Sequence, residues 1–130
     1  TRRNLLAKLD GDAYVWDLQV AGRSVLFVGD SAYGPIFGEI GSRRGPHDLA
    51  LVPIGAFEPS SLVADMHSTP EDAALILSEV RAKMGIGIHW GTFALSPEPL
   101  RAPADRFLAA GRAAHRSRVL RIGETIALAH

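Results

Sequence analysis

Between Asp48 and Ile54 the chain reads Asp-Leu-Ala-Leu-Val-Pro-Ile, an almost continuous apolar run that follows the stop signal Gly45-Pro46. A strand with one face in water alternates apolar and polar residues, whereas a strand without that alternation has to be covered on both faces. The run therefore predicts a central strand in a layered fold. Upstream, Ala13–Val20 and Ser24–Val28 read as two short strands joined by Ala21-Gly22-Arg23, a connection of hairpin length. The second strand leads through the small-residue loop Gly29–Pro35 into a helix over Ile36–Arg43.

Downstream, Thr69 is placed as an N-cap, with Pro70 as first helical residue and Asp72 three positions after the cap. Ala73, Leu77, Val80 and Met84 then form one apolar stripe expected to pack on the sheet. Gly85 is read as the end of that helix, and Ile86–Ile88 as a short strand. A further helix is expected over Ala104–Ala114, and a closing hairpin pairs Val119–Ile122 with Thr125–Leu128 about Gly123-Glu124. Helices and strands alternate in the middle and hairpins stand at both ends, which predicts an α/β fold with a mixed sheet flanked by helices.

Composition narrows the function. Fourteen Lys+Arg against fourteen Asp+Glu leave no net charge, so no whole-protein field draws the chain to nucleic acid, and no nucleic-acid partner is expected. With no cysteine there is no disulfide, no thiolate nucleophile and no Cys-based metal site; a metal here needs His and carboxylate. There is neither an 18-residue apolar run nor the apolar core of a signal peptide, so the chain reads as not transmembrane and cytoplasmic. It begins at Thr1 without an initiating Met, as an excised or processed piece would. GxGxxG, Walker and GxSxG patterns are absent.

Three groups of metal-ligand chemistry leave strand ends or loops. Asp30 follows the strand Ser-Val-Leu-Phe-Val-Gly, His67 sits in the long Gly55–Ser68 loop before the capped helix, and His89 follows Ile86-Gly87-Ile88. Strand ends in layered α/β folds share one rim, where ligands usually sit. Imidazole nitrogen and carboxylate oxygen suit a borderline divalent cation, and a carboxylate can bridge two ions. Plainer readings stand beside these: Asp30 as a turn residue, His89 as a structural histidine, and His67 as part of the helix cap. His47, His115 and His130 are read as surface residues. Glu58 orders its loop or supports the site from behind, with a solvated acid as the plainer reading, and Arg112, Arg116, Arg118 and Arg121 form a solvated basic stretch that could meet an anionic head group.

Four stretches, FVGDSAYGPIFGEIG, HDLALVPIGAFEP, MHSTPEDA and GIGIHWGTFALSPEP, together resemble the C-terminal half of metallo-β-lactamase-fold hydrolases. The type is the one that includes N-acyl-phosphatidylethanolamine-hydrolysing phospholipase D and its bacterial relatives, and the resemblance spans Val25 to Pro103. It implies half of an αββα sandwich, with residues 1–130 as the C-terminal half of one domain. It further implies Asp30 as the carboxylate bridging two zinc ions, His89 as a ligand of the second zinc, and His67 as a catalytic group near the reacting phosphodiester. Tyr33 and the Gly55–Pro59 loop, including Glu58, would line the substrate rim. The family's H-x-H-x-D-H motif is absent, and two ligands cannot close a zinc site. The chain alone is thus expected to be inactive, and the apolar face left by a missing sheet to be covered by the N-terminal half, a second chain or a second copy.

The expectation is a zinc-dependent hydrolase of the phospholipase D type, acting on a phospholipid or other phosphodiester. A lactonase or sugar-phosphate ester hydrolase of the same fold, and a non-catalytic interaction domain, are the alternatives. A phospholipid substrate would bring the protein to the membrane periphery.

Overall fold

The sheet has five strands in the order β1-β2-β3-β4-β5, so each strand lies beside its neighbour in sequence. In the computed structural model, which describes residues 14–112 and 116–128, the strands are β1 (Trp16–Val20), β2 (Arg23–Phe27), β3 (Leu49–Pro53), β4 (Met84–Ile88) and β5 (Ser117–Arg118). The helices are α1 (Ile36–Arg44), the single turn α2 (Ser60–Val63), α3 (Pro70–Glu79) and α4 (Ala102–Gly111). β1 and β2 are antiparallel, joined by Ala21 and Gly22, both left-handed as a two-residue turn matching the strand twist requires. β2, β3, β4 and β5 are parallel. The sheet is therefore mixed and flanked by helices, the α/β arrangement expected.

Parallel neighbours need a crossover, and crossovers are right-handed. Because every step from β2 to β5 advances in one direction, α1, α3 and α4 must all lie on the same face. The packing agrees: a Cβ on Gly85 would sit 2.2 Å from Leu77 of α3, and one on Gly87 would sit 3.1 Å from Phe107 of α4. Leu26, Ala50 and Val52 point to that face and are wholly buried with Phe37, Ile76, Leu77 and Phe107. Fully burying side chains of the size of Leu77 and Ile76 stabilises by about 1.5–3 kcal/mol each. On the opposite face Trp16 (58% exposed), Leu18 (42%), Val20 (56%) and Phe27 (37%) are open to solvent, with Val25, Leu49 and Leu51 half-buried. An apolar strip of this extent is characteristic of a surface made to be covered.

Several elements differ from expectation for definable reasons. The Thr69 capping box is present, with Thr69 Oγ1 accepting from Asp72 N and Asp72 Oδ2 accepting from Thr69 N. The helix it starts ends at Glu79, however, and Met84 belongs to β4, paired with Leu49. Arg81 terminates the helix: its backbone is left-handed, and its guanidinium donates to the carbonyls of Gly41 and Gly45. Gly85 is then not a helix stop but a strand residue leaving room for Leu77. The closing hairpin is absent among the described residues; only a turn remains, with Glu124 N–H donating to Arg121 O. Ser117 packs instead into the space a side chain on Gly111 would fill, drawing the segment to the sheet edge as β5.

His47 is not a surface residue: its side chain is 0% exposed. Its Nδ1–H donates to Val80 O at 2.9 Å, and its Nε2 lies 3.6 Å from Asp17 Oδ1; neither of those two atoms makes a hydrogen bond. The residue falls in the turn where α1, β1 and the end of α3 meet, hence its burial. His115 and His130 lie outside the described residues. Among the described residues no helix is long and apolar enough to cross a membrane.

Candidate metal centre

Three successive parallel strands end at the same edge, and each turns through a left-handed residue: Gly29 (φ 71°) after β2, Ala56 (φ 61°) after β3 and His89 (φ 59°) after β4. For Ala56 and His89, which lack glycine's freedom, that conformation costs about 1–2 kcal/mol each. Strain of this kind persists only where the surroundings over-determine it. At His89 it turns the imidazole off the strand axis and back toward Asp30.

β2 and β4 are two strand spacings apart, roughly 9.6 Å, yet Asp30 Oδ2 and His89 Nε2 are separated by 3.8 Å. The two side chains meet across the exit of β3, so that exit has to be small. It is Gly55-Ala56, and the His89 carbonyl folds so closely over Gly55 that a Cβ there would lie 2.2 Å from His89 O and 3.0 Å from Trp90 Cα. The exit is pinned from both sides. Ile54 N–H donates to Ile88 O at 3.0 Å, and Ala56 N–H donates to Glu98 Oε1 at 2.8 Å.

His67 enters from the α2–α3 connection. Its N–H closes on Val63 O, and next to it the buried Ser68 hydroxyl donates to Ser31 O at 2.8 Å. This bond ties the neighbour of His67 to the neighbour of Asp30. His67 Nδ1 consequently stands 2.7 Å from Asp30 Oδ1, and the His67 and His89 rings stack with centroids 5.5 Å apart. One donor atom from each of Asp30, His67 and His89 falls within 4.8 Å of the others.

The donor set fits a divalent cation. It is one carboxylate and two imidazoles, the ligand types of zinc. His67 Nδ1 is buried and makes no hydrogen bond of acceptable angle despite its short approach to the carboxylate. A buried imidazole nitrogen with no hydrogen bond, beside a carboxylate and a second imidazole, is donor chemistry that suits a divalent cation. All three residues are partly open to solvent, which leaves a path for an ion and a substrate.

The other expected site residues lie elsewhere. The Tyr33 hydroxyl donates to Glu79 Oε1 at 2.7 Å, toward the far end of α3; that carboxylate acceptor, with some burial, raises the phenol above its usual range. Glu58 is half-buried, and its N–H donates to the Glu98 carboxylate. Neither joins the cluster of three donors. Conversely Gly55, Ser68 and Glu98 matter to the geometry and were not singled out from sequence. For Glu98 the available signal was an acid held between two prolines, Pro97 and Pro99. Burial works to raise the Glu98 carboxyl, but hydrogen bonds from the Ser96 hydroxyl and the N–H groups of Glu98, Ala56 and Glu58 outweigh it, and the group is held below the usual range.

Beside His89 opens a cavity of about 330 Å³, walled by Trp90, Phe93, Leu95, Leu100 and Pro103. Phe93 and Leu95 are each 72% exposed at its mouth.

The profile of the Beta-lactamase superfamily domain matches residues 2–90. An uncharacterised protein of Mycobacterium tuberculosis is 37% identical over 103 residues, covering 77% of this chain and 27% of that protein. N-acyl-phosphatidylethanolamine-hydrolyzing phospholipase D 1 of Caenorhabditis elegans is 40% identical over 79 residues, 60% of this chain and 22% of that enzyme. Among solved structures, a metallo hydrolase from Ignicoccus hospitalis superposes with a TM-score of 0.64 at 23% identity, over 92% of this chain and 47% of its own. The chain thus spans about a quarter of these curated relatives and about half of that structure.

Proposed function

The chain belongs to the beta-lactamase superfamily and shares the fold of a metallo hydrolase, and we propose that the complete protein is a metal-dependent hydrolase, specifically a zinc-dependent phosphodiesterase of the phospholipase D type. The observation that carries the reading is the convergence of Asp30, His67 and His89 at one sheet edge, their donor atoms within 4.8 Å of one another. The likeness to the nematode phospholipase D favours a phosphodiester, and the apolar cavity beside His89 favours a substrate with an apolar group next to the reacting bond.

Asp30 and His89 would hold the metal; Asp30 Oδ1 faces His67 and Oδ2 faces His89. When bound, a zinc pair supplies Lewis-acid charge and a water acidic enough to be hydroxide near neutral pH. His67 Nδ1 stands 2.7 Å from Asp30 Oδ1, and its Nε2 would hold or deliver a proton to the substrate. Trp90, Phe93, Leu95 and Leu100 bind and orient the apolar part and keep water from it.

Asp30 and His89 do not complete two four-coordinate ions. The chain is accordingly the C-terminal half of the domain, and the N-terminal half brings the remaining ligands while covering Trp16, Leu18, Val20 and Phe27. The test is zinc content and diester turnover of the complete protein and its Asp30→Ala variant, with a lactone as competing substrate. Loss of zinc and at least about a hundredfold loss of diesterase activity is expected. Faster lactone turnover, or an Asp30→Ala protein that retains both zinc and activity, overturns the reading.

A further inference from the structure

Two strand exits face each other at the site, and the residue that joins them is remote in sequence. We propose that Glu98 is a positioning residue, whose carboxylate locks the exit of β3 beneath the exit of β4 and so keeps the His89 imidazole aimed at Asp30. The inference rests on reading Asp30, His67 and His89 as the site.

The chain of contacts is short. Glu98 Oε1 accepts the Ala56 N–H at 2.8 Å, and the Glu58 N–H, its own N–H and the Ser96 hydroxyl are directed at the same carboxylate. Ala56 is left-handed without being glycine, so its peptide needs an external partner to stay in that orientation. Immediately before it, Gly55 lies against His89 O and Trp90 Cα with no space for a single added carbon. Any rotation of the Ala56 peptide therefore carries Gly55 into or away from His89, itself left-handed at the end of its strand. Trp90, next in sequence, is fixed by its own indole N–H to Gly87 O at 3.3 Å. The backbone around His89 is thus clamped by β4 on one side and by Glu98, through Ala56 and Gly55, on the other.

Charge is part of the device. Several donors converge on one carboxylate, and Oε2 is buried without a geometrically proper hydrogen bond of its own. An amide in its place would keep an acceptor for Ala56 and turn an N–H₂ toward the remaining donors. Glu98→Gln should retain part of the lock and Glu98→Ala none; a role in general packing would give the same order in stability but would leave Ala56 amide exchange and the His89 ring signals in place.

The experiment uses the complete protein, with Glu98→Ala, Glu98→Gln and Asp30→Ala, and reads amide hydrogen exchange at Ala56, the ¹⁵N shifts of the His89 ring, and Co²⁺ affinity with its visible spectrum. Glu98→Ala is expected to speed Ala56 exchange at least about tenfold, shift the His89 ring signals and weaken Co²⁺ about 10- to 100-fold with an altered spectrum, Glu98→Gln falling between. Unchanged Ala56 exchange and His89 signals in Glu98→Ala overturn the clamp. Should Glu98→Ala not fold, Glu98→Gln decides alone: wild-type Ala56 exchange, His89 ring signals and Co²⁺ affinity in it overturn the proposal that the carboxylate is what locks the exit. The clamp and the site reading fail separately: Co²⁺ binding indifferent to Asp30→Ala sinks the site, while the exchange and ring signals still judge the clamp without metal.

Discussion

Adding one methyl group at Gly55 should disable the site while leaving the sheet in place. The Cβ of Gly55→Ala would lie 2.2 Å from His89 O, 3.0 Å from Trp90 Cα and 3.1 Å from Trp90 Cβ. Close carbon–oxygen contacts settle at roughly 3.3 Å or more, so the His89 carbonyl has to retreat by about 1 Å. The obstacle is backbone, with no flexible side-chain end to swing aside. Overpacking of this kind costs about 1–3 kcal/mol, and a displacement of about 1 Å at reacting groups costs on the order of a hundredfold in rate. The comparison is with Gly38→Ala, in the interior of α1, where nothing lies within 4 Å of the added carbon. That change should stabilise by about 0.4–1 kcal/mol through the unfolded chain and leave activity alone. Urea midpoints and hydrolytic rates of the complete protein measure both effects. A Gly55→Ala protein with the wild-type midpoint and rate would refute the steric argument, and with it the idea that Asp30 and His89 meet over an exit that must be small.

Elsewhere in α1, Gly41→Ala should destabilise by about 1–3 kcal/mol because its Cβ would fall on the backbone carbonyl of Glu79; a urea midpoint unchanged within error would show that α1 and α3 do not cross at that point. His47→Ala removes the buried donor to Val80 O and should cost about 1–3 kcal/mol in denaturation, with metal content per folded molecule unchanged; metal loss without destabilisation would mean that His47 serves the site. Asp48 is held below the usual carboxylate range first by the Lys83 ammonium, then by the Ser24 N–H. Its contribution is therefore present above the unfolded carboxyl's pKa of about 3.9 and is lost as pH falls through its lower folded value. Asp48→Asn should flatten that acid limb of stability against pH, and an unaltered acid limb would contradict the pairing.

What the sequence could show depended on range. The Thr69 box, the hairpin turn and the apolar run around Val52 are local, written in residues within a few positions of one another, and they stand as read except that Arg23 belongs to β2 and the turn is Ala21-Gly22 alone. The end of α3 is not local: Arg81 stops the helix by reaching 40 residues back to Gly41, and no periodicity around Met84 carries that information. The same holds for β5, which is set by the packing of Ser117 on Gly111 and not by the turn at Gly123. His47 was misread because a histidine beside a Gly-Pro turn is ordinarily exposed, whereas here three elements close over it. The placement of Asp30, His67 and His89 at one edge followed from counting strand exits. The Ser31–Ser68 tie and the Glu98 lock, 37 and 42 residues in span, had no local signature.

The strand order also has a bearing on how the chain acquires its shape. β2, β3, β4 and β5 stand in space in the order in which they are synthesised, each landing beside the strand made just before it. No strand has to be threaded between two already joined, and each parallel pairing closes over a single crossover. Asp30 emerges first, His67 second and His89 last. Their cluster closes only when β4 has docked, and the last ligand to arrive reports that the sheet behind it has already been assembled.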